Sequence, residues 1–500
     1  MAFRHGIFTS EDPTPLVPPV SVDSAMPVAF VTAPVHLSRN PYSVTHEPKL
    51  CFNIREATSA FGFHQKPEIW NNYTACEVIF SQFSLYAVSP IVIINVLDPH
   101  IHNETVLDYQ LRLVGKSGII PVDGVLIDTI TVQDTNGTNY ESGEHFTLAF
   151  NRDGFVVLHA KEDVGIGEGE TLIISFIKLA PEKVDIWDFI GGYDAQTRRK
   201  FGMELVNSIY PLFRRVPGLL LAPGYSGDPT LAAVMETRAA NINGHFSCPA
   251  LVDIPTMIES DKPDDKGNLK LEHLPFTNIP AFKNKNNFVF PGQILCYPKV
   301  RLGELIFNYS TQLAGLIGRT DHENSDTPYV SPSNQNLNIN GLCYADGEEI
   351  VMGNQEAAFL SGNGIVTALN FSKGWTAWGN RTAAFPGNTD PKDAFIPIRR
   401  MFFWVGNTIV LTYWRKVDFP LVPRVIQTVK NSIEEWLDEL NARQFILGGT
   451  IEMLPDDNSI VSLSDGSVTF RVKISPPPPL EEAEFILQYD PQHLMTLFGG

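Results

Sequence analysis

Ser226 stands between two glycines in Gly224-Tyr225-Ser226-Gly227-Asp228, after an apolar run and before an alanine-rich one. A hydrolase carries its nucleophilic serine on such a strand-to-helix turn, but that elbow closes on a glycine where this chain has Asp228. A plain turn is expected instead, with Asp228 or Thr230 capping the helix that follows. Gly165-Ile166-Gly167-Glu168-Gly169 has the glycines of a phosphate loop. It leads into a strand pattern and carries a carboxylate that would repel phosphate, so it reads as a turn. His100 and His102, flanked by Asp98 and Glu104, would place two imidazoles on one face of a strand, a spacing able to hold a metal. Their polar surroundings favour a linker. Asp321 to Asp326 is acidic but lacks the glycine and the length of a calcium loop, and a solvated loop is expected there. The five cysteines form no CxxC pair and are expected to be buried free thiols. No nucleophile, base and orienting acid can be assembled from neighbouring residues. The sequence therefore predicts no enzyme, no metal and no cofactor.

The elements around these residues follow from apolar periodicity. Val28 to Val31 and Ile91 to Leu97 are apolar runs that read as strands, with a helix-like stretch at Ile54 to Phe61. Between 103 and 183, short alternating runs are separated by turns, among them the hairpin connection Asn151-Arg152-Asp153-Gly154, and suggest a small β-sandwich. Asp194 to Phe213 carries Phe201, Leu205 and Ile209 at helical spacing. Gly218 to Ala222, Thr230 to Asn241 and Ala250 to Ile254 read as strand, helix, strand, a βαβ unit with parallel strands. Asp261 to Asn287 is polar and predicts a surface excursion. Met401 to Trp414 is too short to span a bilayer, and its Gly406-Asn407 dipeptide predicts a hairpin of two buried strands. Pro423 to Arg443 is the cleanest helix, with Val425, Val429, Ile433, Trp436, Leu437 and Leu440 on one face.

The chain has 500 residues, enough for roughly three domains, and its formal charge of −19 has the wrong sign for a nucleic-acid partner. Only 19 % of its residues are charged against 43 % apolar, as expected of a protein that associates with itself. Met1 to Ser10 lacks the apolar core of a signal peptide, which predicts synthesis in a cytoplasm.

Both ends are unusual. Pro13, Pro15, Pro18 and Pro19 predict an extended arm, preceded by one short strand at Arg4 to Ser10. Ser467 to Ile474 reads as a strand; Pro476 to Pro479 is a stiff spacer projecting the chain by about 12 Å, and Glu484 to Tyr489 is a final alternating strand. Proline spacers that each lead to one short strand suggest strand addition to neighbouring sheets. The alternative is that both ends fold back on their own domain.

Taken in order, several stretches resemble the contractile tail sheath proteins of bacteriophages. They are His5-Gly6-Ile7 with Val28 to Pro34, the Leu220 to Gly224 strand and turn, and Val252-Asp253-Ile254-Pro255. Ala314-Gly315-Leu316-Ile317, Pro328 to Leu342 and Leu360 to Ile365 follow, and Trp378-Gly379-Asn380-Arg381-Thr382, Arg399-Arg400 and Gly448-Gly449 complete the series. The resemblance covers most of the chain outside 103 to 183.

It implies a structural protein of α+β multidomain class. An α/β sheath core would be built from 23–102 and 374–480, with an inserted β-sandwich at 103–183, an α/β domain at 184–373, and extended arms at 1–22 and 481–500. Six subunits would form a ring, and rings would stack around a tail tube and contract to drive it through a cell envelope. Gly6, Ile7, Phe8 and Thr9 at one end, and Phe485, Ile486, Leu487, Gln488 and Tyr489 at the other, would pair with neighbouring subunits. Arg424, Lys430, Glu434 and Asp438 on the Pro423 helix would face the tube. The expected partners are further copies of the chain, the tail tube protein, and baseplate and tail terminator proteins, with no nucleic acid and no membrane insertion. The expected location is a virion tail assembled in a bacterial host's cytoplasm. The sheath of a phage-derived injection particle or bacteriocin is one alternative; an α/β hydrolase with a β-sandwich module is another.

Overall fold

Eight strands form an open sheet through the middle of the protein, in the order Lys49–Cys51, Ile91–Asn95, Pro27–Val31, Leu219–Leu221, Ala250–Asp253, Gln293–Cys296, Ile365–Asn370 and Trp375–Trp378. The computed structural model describes residues 22–162, 165–263, 269–491 and 493–494. The inner strands run parallel, with Val28 opposite both Val92 and Leu220, and only the two edge strands are antiparallel. Pro27–Val31, Ile91–Asn95 and Leu219–Leu221 are buried at every residue, as strands covered on both faces must be. The predicted βαβ unit is present: Leu220 pairs with Ala250, and the helix Pro229–Ala240 lies between the two strands in sequence. Its N-cap is Asp228, whose side chain accepts from the backbone N–H of Thr230 at 2.8 Å and Leu231 at 3.1 Å.

The helix Tyr309–Glu323 packs against three of the strands and is buried on almost every side, from Tyr309 to Gly318 without a break. Gly315 and Gly318 permit this. A Cβ at Gly315 would come within 2.4 Å of the Tyr86 ring, and one at Gly318 within 2.7 Å of Val88. One hydrophobic core runs from Val22 to Ile451 through the sheet and its helices. A second lies in the 103–179 segment, where a four-stranded and a three-stranded sheet enclose Leu111, Ile120, Phe146, Leu158 and Phe176. Asn151 closes the predicted hairpin there, its backbone N–H donating to the Phe155 carbonyl.

Three expectations are corrected. Met401 to Trp414 is not a hairpin: Met401 to Tyr413 lies in the 18-residue helix Ile396–Tyr413, which opens on Pro397, and Trp414 caps its end. Gly406 is exposed on that helix, and Asn407 is held by a distant segment, exchanging hydrogen bonds with the Ser247 N–H and carbonyl. The Asp194 to Phe213 stripe is broken. Phe201 ends a hairpin of Gly192–Asp194 with Arg199–Phe201, and the α-helix starts only at Val206. Asp321 belongs to the Tyr309 helix and is buried, forming a two-pronged ion pair with the equally buried Arg400. The same carboxylate accepts from Ser24 Oγ at 2.6 Å, so the first described residues are tied to the Ile396–Tyr413 helix. The helix Pro423–Ala442 forms as predicted and buries Val429, Ile433, Trp436, Leu437 and Leu440. Trp436 packs 5.6 Å from Trp404. Among the described residues no helix is long and apolar enough to cross a membrane.

Candidate functional site: assembly surfaces

Ligands of open α/β sheets sit at the carboxyl ends of the strands where strand order reverses, here between Pro27–Val31 and Leu219–Leu221. The polar groups at that point are committed to one another. Thr32 and Thr74 exchange backbone-to-hydroxyl hydrogen bonds of 3.1 and 3.2 Å. Beside them the Glu77 carboxylate accepts from the Asn308 N–H and side-chain amide, each at 2.6 Å, and Lys299 Nζ donates to Asn308 Oδ1 at 2.6 Å. Burial is the largest influence on Glu77 and pushes its pKa up to about 7, against the pull of Lys299 and of the hydrogen bonds from Asn308. A pocket of about 260 Å³ opens nearby over Gly224, Asp253 and Pro255. Asp253 is saturated within it, accepting from the Ser310 N–H at 2.8 Å and from the Ser310 hydroxyl.

Ser226 is fully buried, and its Oγ accepts from the Asp253 N–H at 3.0 Å. It is a clamp between two strand ends and has no histidine partner among the described residues. His102 is also buried: Nδ1 accepts from the Asp98 N–H at 2.9 Å and Nε2 lies 3.2 Å from Asp188. His100 instead stacks on Tyr42. The two imidazoles do not converge. One group with metal-ligand reach, His273 with Asp346 and Glu348, places its carboxylates on different, diverging ring nitrogens, 2.7 Å from Nε2 and 4.0 Å from Nδ1. All five cysteines are buried and free.

The surfaces left unsatisfied lie at the C-terminal end. Gly449–Glu452 pairs with Arg471–Ile474 in a two-stranded ribbon, and among the described residues no further strand borders either one. The Gly449 strand was missed in the sequence; its signal is the pair of residues Thr450-Ile451 directly after a glycine pair. Beyond the proline spacer, Glu481 is held by Arg381, Nε to Oε1 at 3.1 Å, and Arg381 itself stacks on Phe385 and Phe395. This anchor gave no local signal, since the partners are 100 residues apart. The arm then leaves the body. Phe485, Ile486, Leu487 and Tyr489 are 85, 84, 96 and 75 % exposed, Gln488 is exposed too, and none belongs to a strand in its own chain. Gly6, Ile7, Phe8 and Thr9 lie outside the described residues.

On the Pro423–Ala442 helix, Arg424, Glu434 and Asp438 are exposed and Lys430 is half-buried. The basic residues occupy its first half and the acidic ones its second, opposite to what the helix dipole favours, so helix stability does not explain them.

No protein-family model matches the chain. In sequence it is 24 % identical over 509 aligned residues to the tail sheath protein of Burkholderia phage BcepMu, covering 100 % of this chain and 99 % of that one. It is 24 % identical over 316 residues to a putative prophage major tail sheath protein of Pseudomonas aeruginosa, covering 61 % of this chain and 73 % of the relative. In fold it is similar to a chain of the anti-feeding prophage baseplate, with a TM-score of 0.55 at 15 % identity over 98 % of this chain and 100 % of that one. The anti-feeding prophage helical sheath in its contracted state gives a TM-score of 0.55 at 15 % identity, over 97 % and 99 % of the two chains. The chain is thus similar along its whole sequence to a phage tail sheath protein, and along nearly its whole length in fold to chains of the anti-feeding prophage baseplate and contracted sheath.

Proposed function

We propose that the protein is the subunit of a contractile tail sheath, stacking as six-membered rings around a tail tube and shortening to drive that tube through a target cell's envelope. The observation that carries this reading is the mismatch at the C-terminal end: a two-stranded ribbon with open edges beside an arm of exposed, alternating side chains. The ribbon packs on the Pro423–Ala442 helix through the buried Ile451, and among the described residues its outer edges carry no partner strand. A strand added from another subunit would contribute ladder hydrogen bonds of roughly 0.5 to 1.5 kcal/mol each. Residues 485–489 supply the C-terminal strand and Gly6 to Thr9 the N-terminal one, so that subunits stay linked while the sheath changes length.

Contraction then needs no nucleotide. The extended sheath is a kinetically trapped state, and shortening exchanges a smaller set of intersubunit contacts for a larger one. The Pro423–Ala442 helix presents Arg424, Lys430, Glu434 and Asp438 to the tube, and the 103–183 sandwich decorates the outside. Baseplate and terminator proteins bound the polymer at its two ends, in a virion tail assembled in the bacterial cytoplasm.

Expression of the chain alone, viewed by negative-stain microscopy, tests this. Tubes are expected, and removal of residues 484–500 should abolish them while leaving a folded monomer. Closed oligomers, or normal tubes after the deletion, would overturn the reading. The similarity to the anti-feeding prophage supports a second reading, the sheath of a particle that injects without carrying a genome. Capsid genes beside the coding sequence separate the two.

A further inference from the structure

An aromatic groove of about 350 Å³ opens between the C-terminal end of the Ile396–Tyr413 helix, the Val206–Phe213 helix and the loop before Ser247. Tyr210, Arg214, Phe246, Val410, Leu411 and Trp414 line it. Trp414 remains 54 % exposed, its ring edge-on to His245 at 4.8 Å, and the Arg214 guanidinium lies over the Tyr210 ring. Aromatic-lined clefts of this kind are suited to proline-rich segments in a polyproline II conformation, whose fixed backbone has little entropy to lose on binding.

The path of the first described residues aims at this groove. Arg400 donates to the Ser24 carbonyl at 3.3 Å, and Trp404 Nε1 donates to the Val22 carbonyl at 3.2 Å. Followed backwards from Ser24 to Val22, the chain thus climbs four residues along the Ile396–Tyr413 helix, about 6 Å, in two residues of its own. That is an extended rise of ~3 Å per residue. Asp23 is held by Arg215, the neighbour of the groove's Arg214. Asn407, which lines a small pocket together with Val22, bonds Ser247 at the end of the groove's loop. At the same rise, the levels three, four and five residues before Val22 fall at Val410, Thr412 and Trp414 of the helix end.

We propose that the groove seats the segment Pro13-Thr14-Pro15-Leu16-Val17-Pro18-Pro19-Val20 of the same subunit. The seat fixes where the N-terminal arm departs. It leaves residues 1–12 to reach a neighbour, about 40 Å when extended. This holds for the isolated chain and does not depend on the sheath reading.

The test uses the full chain at concentrations where it is monomeric, with Val17→Cys and Leu411→Cys introduced together and oxidised with copper phenanthroline. The native thiols are buried. A second pair, Pro19→Cys with the exposed His245→Cys, covers the case in which the Leu411 variant fails to fold. Val17→Cys with Leu271→Cys, on the distant and exposed Leu269–His273 strand, sets the background. Equal amounts of ¹⁴N and ¹⁵N chains are mixed, so mass spectrometry separates links within a chain from links between chains. Intrachain links at the two groove pairs, forming at least tenfold faster than the background pair, are expected. Rates equal to background would overturn the proposal. Links found only between chains would overturn it too, by making the occupant a second copy. Neither failure bears on tube formation, which is read separately by microscopy.

Discussion

Around Glu77 and Asp253, carboxylates, amides and hydroxyls are matched within 2.5 to 3.3 Å inside one chain, and the buried start of the helix Tyr309–Glu323 supplies several of the donors. Around Phe485 to Tyr489 the opposite holds: large apolar side chains face water, and among the described residues the backbone groups of the arm and the ribbon edges have no ladder. The first region shows an α/β sheet whose usual ligand site has been spent on its own stability. The second shows surface that a monomer cannot satisfy. The sheath subunit proposed above would need both: a body that does not change, and ends whose partners lie elsewhere.

The comparison breaks first, and most visibly, if the arm proves unnecessary. Removing residues 484–500 should reduce ordered polymers to none by microscopy, while the melting temperature of the monomer stays unchanged. In the body the largest loss is expected from Arg400→Ala. It strands the Asp321 carboxylate, 2 % exposed, without its counter-ion, and should cost about 3–5 kcal/mol in denaturant unfolding. It also releases the Ser24 carbonyl.

Glu77 gives a smaller effect that depends on pH. Its folded pKa, raised to about 7, lies above the ordinary value of 4.5, so the folded chain holds a proton that the unfolded chain has released. Its contribution to stability is therefore fully present below pH 4.5 and is lost as pH rises through about 7. The unfolding free energy of the unmodified chain minus that of Glu77→Gln should fall by about 1–3 kcal/mol between pH 5 and pH 8. A difference independent of pH would mean that Glu77 stays charged and that the buried network is an ionic one.

What was legible in the sequence was what is local. Apolar runs with short connections gave the parallel strands, Asp228 gave its helix cap, and the stripe from Val429 to Leu440 gave the Pro423 helix. Errors arose where a distant partner decides. Gly406-Asn407 has the form of a hairpin turn, but Asn407 is satisfied by Ser247, 160 residues away, and the helix runs on through both. Asp321 looks solvated among its acidic neighbours until Arg400, 79 residues on, is folded against it. The arm shows the reverse. Its alternation was visible in Phe485, Leu487 and Tyr489, but only the structure reveals that neither face is covered by the described residues of its own chain.

The smallest expected effect is the sharpest check on that difference. Leu487 is 96 % exposed, so Leu487→Ser should leave the unfolding free energy of the monomer within about 0.5 kcal/mol of the original. An interior leucine cut back in this way would cost several times more, because its packing partners are lost along with its transfer energy. If Leu487→Ser cost the monomer more than about 1 kcal/mol, the arm would have to bury that side chain on its own subunit, and the contrast between a sealed body and an open end would fail.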